Sequence, residues 1–151
     1  MDIEDFYYDH IEVHDYYRRI IYRDLTVLHR LYNDGILYST DPEQYCKMLK
    51  SRVYLKWDTG RIVSLNLSGL LRGTVPEYID QLHDLKYLFM ENCQLSSIPI
   101  FLGQLPNLYH LYLDSNPIEC DINQYIDEQM DCGMYQSLYI LSTDQSLIYI
   151  Q

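Results

Sequence analysis

The chain has 151 residues, 48% of them apolar, which is enough for one folded unit with a sizeable core. Its net charge of −11 argues against nucleic-acid binding, which needs a basic face, and against docking on an anionic membrane surface. No apolar run approaches the roughly 18 residues of a membrane span. The acidic Met1–Phe6 lacks a basic stretch followed by an apolar one, so no signal peptide is expected.

Residues 1–34 read as one long amphipathic helix. Ile3, Phe6, His10, Val13, Tyr17, Ile20, Asp24, Leu28 and Leu31 fall near one stripe, interrupted by Asp24 and widened by Ile21, Leu25 and Tyr32. Asn33-Asp34-Gly35 supplies a stop, with Gly35 suited to a left-handed conformation. Arg18, Arg19, Arg23 and Arg30 gather against Asp15 and Asp24, as a solvated face or as a strip that docks on an acidic rim elsewhere in the fold. His10 and His14 are four apart and open to a shared metal, but no third ligand is in view, so no metal or cofactor is expected.

A second helix is predicted from Thr40 or Asp41 to near Ser51, with Pro42 in its first turn and Glu43 closing a capping box with Thr40. Arg52–Trp57 reads as extended, with Val53, Leu55 and Trp57 alternating against Tyr54 and Lys56. Asp58-Thr59-Gly60 is a turn signal, and the segment is expected to be an edge strand or cap.

A repeat then takes over. Leu85, Leu88, Met90, Cys93 and Leu95 recur 23 residues later as Leu108, Leu111, Leu113, Asn116 and Ile118, and Ile62, Leu65 and Leu67 precede them by the same step. The second half of the unit repeats too, with Val75-Pro76 matching Ile98-Pro99, Ile79 matching Leu102 and Leu82 matching Leu105. Such a period sets the fold class. Each unit is predicted to open with a short strand (Val63–Asn66, Lys86–Phe89, Tyr109–Tyr112) and to return through a turn and an irregular or short helical segment. After Asn116 the register slips. A helix capped by Asp121 and ended by Gly133 is expected, and Leu138–Leu141 with Leu147–Ile150 form a last irregular repeat or a closing hairpin.

Arg61–Ile118 resembles the leucine-rich repeat proteins. Leu85 through Leu95 fits the family's core with Cys93 at its Asn/Cys position, and Leu108 through Ile118 fits with Asn116 there. Gly60–Gly69, Gly73-Thr74-Val75-Pro76 and Leu95-Ser96-Ser97-Ile98-Pro99 look like the plant-type and intracellular Ras-related groups. The resemblance implies an α/β fold, a short solenoid wound as a right-handed β-α superhelix. The chain then divides into a helical N-terminal extension (1–51), an edge strand or cap (52–60), the repeats (61–120) and a C-terminal cap or irregular repeat (121–151). Leu70 departs from the pattern where asparagine belongs, and Arg72 from an apolar position that Leu71 fills by a local deletion. Asn116–Asp121 looks like the start of the cysteine-bearing cap of extracellular members, but Ile122 stands where that cap has a further cysteine. Pairing of Cys120 with Cys132 would belong to a secreted chain, whereas four cysteines without CxxC spacing favour reduced thiols and a cytoplasmic location.

In this fold the residues between the leucines face a partner on a concave sheet. The columns are Ser64, Tyr87, His110; then Asn66, Phe89, Tyr112; then Ser68, Glu91, Asp114. Tyr87, Phe89, His110 and Tyr112 form an aromatic patch, with Asn66 beside it and Glu91 and Asp114 as an acidic rim that favours a basic partner. The expected function is protein binding, as a module or adaptor in signalling. Self-capping of the patch by the N-terminal helix, self-association through that tyrosine-rich helix, and a role as specificity subunit of an enzyme complex remain open, as does the oligomeric state. His110 near Asp114 is the one hint of acid–base chemistry, with no nucleophile placed beside them, so no enzyme is expected.

Overall fold

The computed structural model describes residues 1–11, 17–119, 138–142 and 145–150. Its centre is an open six-stranded sheet in chain order: β1 (Val53–Leu55), β2 (Ile62–Asn66), β3 (Tyr87–Phe89), β4 (His110–Tyr112), β5 (Leu138–Ser142) and β6 (Gln145–Ile150). β2 through β5 run parallel, while β1 and β6 close the two sides antiparallel. The fold is therefore mixed α/β.

The 23-residue step sets the strand register. Ser64 stands beside Tyr87 and Tyr87 beside His110; Asn66 stands beside Phe89 and Phe89 beside Tyr112. The turns after the strands repeat as well. Gly69, Asn92 and Ser115 all take positive φ (73°, 51° and 58°). Gly69 and Asn92 donate their backbone N–H to Glu91 and Asp114 carbonyls one repeat on. The returns are short 3-10 turns, Glu77–Gln81 and Ile100–Gln104, each entered through a proline. Leu71 is buried and Arg72 exposed, the local deletion read from the sequence.

The step from β4 to β5 is longer, with His110 beside Tyr139. β5 extends the parallel ladder and also forms a hairpin with β6, so the tail combines the two alternatives that the sequence left open. The helix expected after Asp121, the ending at Gly133 and the Cys120–Cys132 question lie outside the described residues.

The long N-terminal helix is broken. α1 (Ile3–Phe6) runs into a π turn at Tyr7–Ile11, Tyr17–Arg19 is a 3-10 turn, and α2 (Tyr22–Asn33) starts afresh. Ile21 is extended (φ −72°, ψ 150°) because its N–H goes to Gly60 O at 3.2 Å rather than up the helix. Most of the stripe is nevertheless buried: Phe6, His10, Tyr17, Ile20, Asp24, Leu28 and Leu31 are, Ile3 is half-buried, and Val13 lies outside the described residues. Gly35 takes the left-handed conformation (φ 71°) and ends α2.

α3 (Pro42–Arg52) is capped by the Asp41 carboxylate, which accepts from Glu43 and Gln44 N–H. The capping box with Thr40 does not form, and Glu43 pairs with Lys47 at 2.9 Å instead. Trp57 leaves the inward alternation of β1. It lies exposed in the following turn with the Arg19 guanidinium 3.7 Å above its ring. One continuous core runs from Phe6 through α2, α3 and β1 into the repeat leucines as far as Leu113.

Candidate functional site

Inward leucines hold the outward residues of the strands. Leu65, Leu88 and Leu111 are fully buried, so the residues on either side of each must face away from the core. On β3 and β4 those outward residues are four rings, and they stack in rows across the strands. Tyr87 and His110 are 5.2 Å apart with planes 10° from parallel. Phe89 and Tyr112 are 4.2 Å apart at 6°, and His110 and Tyr112 are 6.0 Å apart at 17°. Tyr87 is 37% exposed; the other three are half-buried by the stack itself. Tyr109 closes the side, edge-on to His110 at 4.6 Å. Burial lowers the His110 pKa below its usual value, so the ring is neutral at pH 7.

Beside the rings runs a polar column. Ser68 Oγ accepts the Glu91 N–H at 3.1 Å and donates to Glu91 Oε2 at 3.2 Å, which orients that carboxylate. Asp114, half-buried, follows Glu91 at the same repeat position. Asn66 is in register with Phe89, but its amide is engaged locally, accepting from Ser68 N–H at 2.9 Å. Arg52, the last residue of α3, donates to the Asn66 and Ser68 carbonyls at 3.2 Å and borders this end of the face.

Asn116 holds the turns beneath. Its Oδ1 accepts from Cys93 N–H (2.8 Å) and Leu95 N–H (3.1 Å), and its Nδ2 donates to Met90 O (2.7 Å) and Leu113 O (2.8 Å). One repeat earlier, Cys93 Sγ donates to Leu67 O at 3.2 Å, the counterpart of the Met90 bond. Leu70 has no polar side chain for this ladder, so it begins at Cys93.

The structure brings the rings together with Glu91 and Asp114, and places Asn66 at their border. Two residues were not singled out from the sequence. Tyr54, 62% exposed, stands opposite Ser64 and lengthens the Tyr87–His110 row toward β1. The alternation of β1 carried that signal, but the pairing that puts it in the row is long-range. Arg52 left no local signal.

Arg19, Arg23 and Arg30 are engaged away from the acidic rim. Arg30 lies over the Tyr78 ring at 4.1 Å, and Tyr78 donates to Asp34 at 2.6 Å. Arg23 donates to His83 Nδ1 at 2.8 Å. α2 therefore packs on the first return, on the other side of the sheet from the rings. His10 is buried among Phe6, Tyr32 and Tyr45, at 5.6, 4.9 and 5.2 Å between ring centres. His14 lies outside the described residues. Among the described residues no cluster of three metal-ligating side chains forms, and no helix is long and apolar enough to cross a membrane.

No curated protein matches the chain. The family model for leucine-rich repeats (two copies) matches residues 83–125, which hold β3, β4 and the Asn116 ladder. Register extends the same unit back to β2, outside that match. Two matched copies, the in-register strands and the Asn/Cys ladder mark residues 83–125 as leucine-rich repeats.

Proposed function

We propose that the chain is a non-catalytic protein-binding module of a reducing compartment, and that its repeats form a short right-handed solenoid with the stacked rings on its concave side. Leucine-rich repeat domains generally mediate protein–protein interaction. The observation that carries the reading here is the ring surface. Four rings stand in two rows, stacked face to face across β3 and β4, preorganised and turned away from the core. Stacked cross-strand rings stabilise a sheet only modestly, whereas binding hot spots are built from rigid aromatic anchors. Buried, free Cys46 and Cys93 fit reducing conditions. Glu91 and Asp114 favour a basic partner.

Tyr87→Ala with Tyr112→Ala is expected to weaken capture of the partner from host lysate by at least about 30-fold, from roughly 2 kcal/mol per anchor lost only in part additively. Thermal stability should fall little, since cross-strand pairs contribute roughly 0.2–1 kcal/mol each. A large loss of stability with partner capture retained would make the rows core packing and remove the reading.

A further inference from the structure

The two ends of the sheet are built differently. β1 has only three residues, carries a register shift between Tyr54 and Leu55, and lies between the cations Arg52 and Lys56. Short length, irregularity and flanking charge are devices that keep an edge strand from pairing with another chain. β6, at the opposite end, has six residues, Gln145-Ser146-Leu147-Ile148-Tyr149-Ile150, without charge, proline or glycine. Among the described residues its one strand neighbour is β5. The irregularity of that hairpin falls at its turn end, between Ile140 and Ser142, so Ile148, Tyr149 and Ile150 stay in regular register. We propose that this edge pairs with the β6 edge of a second copy, antiparallel about a two-fold axis, and that the chain forms a dimer with one continuous sheet.

Alternate residues of an edge strand point their backbone N–H and C=O groups outward, so β6 offers a ladder about 20 Å long. The same strand run in the opposite direction supplies matching donors and acceptors, which makes the edge self-complementary. Charge favours a second copy over a foreign basic segment. The chain carries −11, yet Asp144 is its one charged side chain from Gly133 to Gln151. Two copies therefore meet at this end with the least repulsion, and a cationic partner finds little here to attract it. The contrast between the edges also sets the stoichiometry. Pairing consumes both β6 edges and leaves only the guarded β1 edges, so the assembly closes at two. Register carries the Tyr87–His110 column on to Tyr139 in β5 and Tyr149 in β6. Antiparallel pairing about an axis normal to the sheet keeps the same face of both copies on one side, so the dimer presents the two columns together.

Sedimentation velocity of the full chain over a dilution series is expected to show a monomer–dimer equilibrium. Added salt should strengthen the dimer, because screening weakens the repulsion between two acidic chains. Ile148→Lys puts a charge in the middle of the edge and should weaken the dimer by at least about tenfold. Ser146→Lys charges a position that is already polar and should act in the same direction with less disturbance of the sheet. Amide hydrogen exchange of the unaltered chain gives a reading that needs no variant. The β6 amides not bonded to β5 should gain protection as concentration rises. A monomer at every concentration, a dimer of unchanged strength in both lysine variants, β6 amides whose exchange ignores concentration, or growth beyond two copies would overturn the inference.

Discussion

Asp24 is the residue whose role the sequence announced without explaining. It breaks an apolar stripe, yet it is 3% exposed and its Oδ2 accepts the Ile62 N–H at 2.6 Å, at the first residue of β2. The carboxylate thus ties the N-terminal helices to the start of the repeats. Burial raises its pKa; the Ile62 hydrogen bond and the nearby Arg61 and Arg23 charges lower it in part. A raised folded-state value means that, above the ordinary carboxylate range, the folded chain holds a proton the unfolded chain has lost. Asp24 therefore makes stability decline as pH rises from the ordinary aspartate value of 3.8 through its folded pKa, and adds no slope beyond. Asp24→Asn keeps an acceptor for Ile62 and should erase that part of the pH dependence at little cost. Asp24→Ala leaves the buried N–H unpaired and should cost roughly 1–3 kcal/mol. Urea midpoints of the three chains across the acid range measure both effects. Equal destabilisation by Asn and Ala would show that charge, not the hydrogen bond, holds the junction.

At the scale of elements, the repeat strands and their outward columns were legible because each position has a counterpart 23 residues away and the strand rings adjoin a buried leucine, Leu88 or Leu111. The break between Tyr17–Arg19 and α2 was not. Helical periodicity continues through it, and the cause lies about 40 residues downstream, where Gly60 O takes the Ile21 N–H. Trp57 was misplaced for a related reason: alternation cannot register that Arg19 provides a better surface than the core. The ring columns were readable, but that they stack within 10° of parallel follows from register and rotamers together. Gly60 permits the junction twice over. Its φ is +66°, and a Cβ there would collide with the Arg19 carbonyl. Gly69 has a similar φ of +73° but open space around it. Gly69→Ala should therefore cost only the left-handed strain, about 1–2 kcal/mol. Gly60→Ala should cost clearly more and separate α2 from the sheet edge. Denaturant midpoints of the two variants decide this, and equal losses would remove the collision from the account.

Across the whole molecule, the N-terminal helices and the repeats share one core, although only the repeats belong to a recognisable pattern. Val27, Leu28, Leu31 and Leu49 are fully buried in the same cluster as Leu65 and Leu88. A repeat unit buries its apolar face only against a neighbour, and β2 has no repeat before it, so α2, α3 and β1 supply that neighbour. Three arginines fasten the join from outside the core, Arg19 on Trp57, Arg23 on His83 and Arg30 on Tyr78. Each buried aliphatic side chain contributes roughly 1.5–3 kcal/mol, against a net stability of roughly 5–15 kcal/mol for a whole domain. The four aliphatic residues alone, about 6–12 kcal/mol, are therefore comparable with the whole margin on which the repeats would stand. A chain beginning at Lys50 is expected to lose its cooperative thermal transition and to expose apolar surface to a hydrophobic dye. In the full chain, urea unfolding followed by fluorescence of Trp57, the sole tryptophan and a reporter of the join, should coincide with unfolding followed by far-ultraviolet circular dichroism. A cooperative melt in the Lys50 chain, or an early Trp57 transition in the full one, would make the helices a separate unit. The ring face would then be carried by the repeats alone.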